Sequence, residues 1–113
     1  MLIEERVKGF LDVEFSEDNI GIYLETPAEL PASFVVFQTV ERTKENLING
    51  VTLEFLSYAP SKYESAVLDE KVREAMEKLN ETTDITASLG GGSDSPDTSL
   101  KRYRYRCYYN LYF

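Results

Sequence analysis

The chain has 113 residues, 42% of them hydrophobic and 28% charged, which is length for one core and an ordinary globular composition. Its formal charge of −8 repels phosphate backbones and anionic lipid at long range, so a general DNA-binding role starts at a disadvantage. No window approaches the roughly 18 apolar residues of a bilayer span, no basic-then-apolar leader follows Met1, and Cys107 stands alone; the expectation is a cytoplasmic chain without disulfide, membrane anchor or structural zinc.

In chain order, Leu2, Ile3, Val7, Phe10 and Leu11 recur at helical spacing, with Glu4, Glu5, Arg6 and Lys8 on the complementary face. This predicts a short amphipathic helix, in which Gly9 costs about 1 kcal/mol relative to alanine. Asn19 and Gly21 flank a brief apolar run over 20–24, read as a short strand, and Thr26-Pro27 and Leu30-Pro31 then break regular structure. Over 33–40, Phe34, Val35, Val36 and Phe37 are apolar at successive positions, as in a central strand covered on both faces or shielded by a neighbouring subunit.

Residues 41–46 are polar, and Asn49-Gly50 carries the signature of a tight hairpin turn. The next strand, 51–58, alternates, with Val51, Leu53, Phe55 and Ser57 as its core face. After Pro60, Ser61 is placed to cap a helix and Glu64 to complete a capping box. That helix reads with an apolar stripe of Ala66, Val67, Val72, Ala75, Met76 and Leu79, and with Glu64, Asp69, Glu70, Lys71, Glu74, Glu77 and Lys78 in solvent. Residues 85–89 suit a short strand, and 90–99, with three glycines, three serines and Pro96, reads as a flexible loop or hairpin tip. The final segment, 100–113, alternates with period two. Tyr103, Tyr105, Cys107, Tyr109, Leu111 and Phe113 form the expected core face; Arg102, Arg104, Arg106, Tyr108, Asn110 and Tyr112 form the other. The sum is one α+β domain, 1–113, with a mostly antiparallel sheet of about four to five strands packed by two helices.

The chemistry on offer is sparse. There is no histidine, so catalysis built on imidazole is excluded. Asp94 and Asp97 are the nearest carboxylate pair for a metal or for acid-base work, but loop carboxylates mostly serve solvation. Cys107 lies among Tyr105, Tyr109 and Leu111, while Arg106, its one adjacent cation, points to the opposite face, so it reads as a packing thiol rather than a nucleophile. Gly90-Gly91-Gly92 lacks the Lys-Ser/Thr and the following helix of a phosphate loop. Arg102, Arg104 and Arg106, with Tyr108 and Tyr112, form a basic, aromatic row suited to phosphates or bases, or to carboxylates of another strand or subunit; Arg and Tyr favour the protein-facing reading. No catalytic, cofactor-binding or metal residue is assigned, and no cofactor is expected.

Four stretches carry a resemblance across nearly the whole chain: the start LIEERVKGFL, the Pro31-x-x-Phe34-Val35-Val36-Phe37 entry, the passage VTLEFLSYAPSKYESAVLDEKVREAMEKL, and the ending YRYRCYYNLYF. In this order they resemble the tail-terminator, or tail-completion, proteins of long-tailed bacteriophages, also found as minor tail proteins of prophages. The resemblance implies a non-enzymatic virion protein that forms a ring, commonly a hexamer of itself, capping the tail tube and joining it to the head-tail connector. It implies the tail tube protein and the connector protein as partners, no membrane, DNA only as passing cargo, and a place in the virion tail after assembly in the host cytoplasm. Acidic residues lining such a ring would repel the passing DNA. The alternatives are another head-tail connector component, or a bacterial ligand-binding or regulatory α+β module whose apolar 34–37 strand lines a pocket or a dimer interface. A carboxylate or metal enzyme ranks third.

Overall fold

The computed structural model describes residues 2–18, 20–45, 47–94 and 102–113. Among these residues the chain is α+β, two helices on one face of a five-stranded, mostly antiparallel sheet. Helix α1 is Ile3–Glu14 and strand β1 Gly21–Tyr23; strands β2, Phe34–Glu45, and β3, Ile48–Ala59, follow. Helix α2 is Lys62–Thr82, and strands β4, Thr86–Asp94, and β5, Tyr103–Tyr112, complete the sheet in the order β1-β2-β3-β5-β4. All pairings are antiparallel except that of β1 with β2.

Ile3, Val7 and Leu11 of α1 and Leu68, Val72, Ala75, Met76 and Leu79 of α2 close over Val35, Phe37, Val51, Leu53, Phe55, Cys107, Tyr109 and Leu111. The helix after Pro60 starts as its cap predicts: the Ser61 hydroxyl oxygen accepts from the Glu64 amide at 3.1 Å. Its buried stripe is phased differently from the sequence reading. Stepping back from Val72 by three and four residues reaches Asp69 and Leu68, then Ser65, and these are buried; Val67 is exposed and Ala66 only half-buried. Asp69, expected in solvent, is 5% exposed.

Four further expectations are corrected. Asn49-Gly50 is not a turn, because the Asn49 amide and carbonyl pair with Phe113 and Gly50 lies opposite Tyr112. The chain reverses next to Leu47 instead, a non-glycine residue at φ 67°. The polar stretch from Glu41 to Glu45 continues β2, past a bulge at Val40. The glycine-rich stretch is strand as far as Asp94, held by the long β5 ladder with a bulge between Leu89 and Gly91; residues 95–101, including Asp97 and Leu100, lie outside the described residues. On β5 the odd-numbered face is buried at Cys107, Tyr109 and Leu111, but Tyr105 is half-buried and Tyr103 and Phe113 are exposed, so only the middle of the strand lies under the helices.

Candidate protein-interaction site

Because both helices pack on one face, the opposite face of the sheet carries the even-numbered side chains of β5. Its lower part holds a small apolar cluster of Phe34, Val36 and Tyr58, with Tyr23, Leu30 and Leu56 packed against it. The Phe34 and Tyr58 rings stack with centroids 4.5 Å apart. The strand at 34–37 is thus covered on both faces, as its sequence predicts, and its second face is filled by the chain's own side chains.

The arginines of β5 border this cluster, each doing something different. The Arg102 guanidinium donates to the carbonyl oxygens of Pro31, at 2.7 Å, and Ala32, at 2.9 Å, fastening the proline-bearing loop to the sheet. Arg104 donates to the Tyr58 hydroxyl at 3.2 Å and lies over that ring. Arg106 sits 3.7 Å from Glu54 Oε2, with its guanidinium over the Tyr108 ring. Glu54, nearly buried on β3, also accepts from the Gln38 amide at 2.7 Å. A hydrogen bond to Glu54 raises the pKa of the Tyr108 hydroxyl. Higher on the same face the Thr52 hydroxyl donates to the Asn110 side chain at 2.8 Å, and Tyr112 is exposed.

The five interface residues expected from sequence therefore share one face, and among the described residues the carboxylate that meets their row is Glu54 of the adjacent strand. Sequence reasoning missed Glu54 because it alternates with Phe55 and Ser57 and reads as an exposed position. The face offers half-buried guanidinium groups with aromatic neighbours, held by internal bonds before any partner arrives. Preorganised groups of this kind lose little side-chain entropy on binding.

The remaining candidates have structural roles. Asp94 forms an ion pair with Lys62 at 3.2 Å, and no group of three or more metal-ligating side chains occurs among the described residues. Cys107 is fully buried, close enough to Asp69 to feel its carboxylate. Burial and the Asp69 charge push its pKa upward, away from the thiolate a nucleophile needs. Asp69 Oδ2 lies 2.9 Å from Arg73 Nε, one helical turn on, while Oδ1 is buried without a donor among the described residues. Burial dominates and raises the Asp69 pKa despite Arg73. No described helix is long and apolar enough to cross a membrane. Compared with protein-family models and with curated protein sequences, the chain matches none.

Proposed function

We propose that this chain is a non-enzymatic structural protein of a phage or prophage tail, whose copies form a ring that caps the tail tube and meets the head-tail connector. The observation that carries the reading is the one-sided architecture: a sheet with both helices on one face presents its other face, with Arg104, Arg106, Tyr108 and Tyr112, to a partner. The sequence resemblance supplies the identity of that partner. The raised pKa of the buried Cys107 thiol supports a non-enzymatic role, as does the lack of histidine.

Light scattering over a range of concentrations, alone and beside purified tail tubes, tests this. A ring-sized particle, or one that forms on the tube end, is expected. A strict monomer in both conditions rejects the ring; a dimer that ignores tubes favours a regulatory module.

A further inference from the structure

Two edges of the sheet lack a neighbour among the described residues. β1 pairs only with Phe34, Val35 and Val36, so the outer edge of β2 is open over residues 38–45. β4 is the last strand at the other side, and its Ala87 amide turns away from β5 to the Asn80 side chain at 2.9 Å. Ladder alternation then turns the Leu89 amide and carbonyl outward too. Open edges with few charges invite a further strand.

The two edges differ in charge. After the bulge at Val40, Arg42 lies opposite core-facing Val51 and bonds Glu4 of α1, so Arg42 and, two residues on, Lys44 project on the helix side of the sheet. Beside β4, α2 carries Glu70, Glu74, Glu77 and Glu81, which form no ion pair among the described residues. With Asn80, Ala87, Leu89, Tyr109 and one cation, Arg73, which is paired to Asp69, these glutamates line an open groove of about 690 Å³. Glu70 with Glu74, and Glu77 with Glu81, are like charges at helical spacing, and the last turn of α2 has no basic residue against the negative end of its dipole. The ridge therefore lacks cations where helix electrostatics favours them. The β2–β3 hairpin also exposes Val40 at 56%, Leu47 at 87% and Ile48 at 54%, apolar surface a docked neighbour would cover.

We propose that copies of this chain join head to tail by continuing the sheet: the open edge of β2 in one copy lies antiparallel along β4 of the next, setting Arg42 and Lys44 against Glu77 and Glu81. The register allows it once the Asn80 side chain gives up the Ala87 amide. Arg42 pairs with Val51, Val51 with Leu111 and Leu111 with Ala87, so a sideways shift of the sheet places Arg42 on the row that ends at Ala87 of the next copy. Three antiparallel pairings separate β2 from β4, which makes the new pair antiparallel as well, and the helices stay on a common side. Such a contact uses two different surfaces and closes into a ring when the rotation per copy permits.

The inference rests on the ring-forming reading, and a charge swap separates the two. Lys44→Glu and Glu81→Lys, each with an unchanged melting temperature, are expected to raise the concentration at half-assembly about tenfold or more, and the double variant to restore most of it. Lys44→Gln and Glu81→Gln give smaller losses in the same direction, and raising the salt from roughly 50 to roughly 500 mM weakens the wild type but not the Gln double variant. Wild-type assembly that ignores both single reversals, or a double variant no better than either, overturns this contact and leaves the ring in place. A wild type that never assembles overturns both.

Discussion

Alanine at Gly92 probes whether the glycine-rich stretch is packed strand. A Cβ at this position meets the Arg106 carbonyl oxygen and an Arg73 guanidinium nitrogen at 2.5 Å each, and Cys107 Cβ at 3.0 Å. The guanidinium can swing aside, though that loosens its ion pair with Asp69. The carbonyl belongs to the β5 ladder and cannot move without disturbing the pairing. Overpacking of this kind costs about 1–3 kcal/mol, and the rigid contact places Gly92→Ala near the upper end. At about 4 °C per kcal/mol for a domain of this size, Tm falls by about 8–12 °C. Gly91 has φ 134° and nothing within 4 Å, so Gly91→Ala pays only for backbone conformation, about 1–2 kcal/mol. At Gly90 the nearest atom is the movable Asn110 amide nitrogen at 3.2 Å, and the loss is smallest. Calorimetry of the three variants reads the order directly. A mobile loop would make all three neutral or slightly stabilising through the unfolded state. A Gly92→Ala protein melting with the wild type refutes the packing argument.

Other consequences can be checked with standard assays. Gly9→Ala, in the middle of α1 with nothing within 4 Å, should gain about 0.5–1 kcal/mol in denaturant unfolding; a loss would mean the helix is not continuous there. Cys107 should resist a thiol reagent at about pH 8 in the native protein and react fully once unfolded, whereas native-state labelling at the rate of a small free thiol would contradict its burial and raised pKa. Asp69 has a folded pKa above its unfolded value, so the stability its neutral form contributes is present below about pH 4 and fades as pH rises through the folded pKa. Asp69→Asn should therefore compare better with the wild type at neutral pH than at pH 4, and unfolding curves showing the reverse trend would reject burial as the dominant influence.

What could be read from the chain depended on whether one face of an element dominates its pattern. The period-two alternation of β5 was legible because Cys107, Tyr109 and Leu111 face a helix layer while polar side chains face away. Ser61 was legible because a cap acts locally. The phase of α2 was not, since the residues that continue its stripe include Ser65 and Asp69, polar groups buried by virtue of the groups they meet. β4 was hidden for another reason: glycines carry no side-chain pattern, and its order comes from β5, a partner distant in sequence. The candidate face was half visible. The arginine row is in the alternation, but its meeting with Glu54 depends on strand neighbours that no local pattern specifies.

Val40, the extra residue in β2, acts much as an insertion acts on a reading frame. Ahead of it Val35, Phe37 and Thr39 face the helices; beyond it that side belongs to Arg42. Laid out as a regular strand with Val40 in the ladder, the same letters would turn Glu41 toward Glu4 and send Arg42 and Lys44 to the other side. Straightening the bulge would thus invert the electrostatic sign of the hairpin's helix-facing side while leaving net charge unchanged, whereas deleting Val40 would keep Thr39, Glu41 and Arg42 on the faces they have now. In this protein the polarity of a surface is set by counting, and one residue held out of the ladder decides which charges reach the helices.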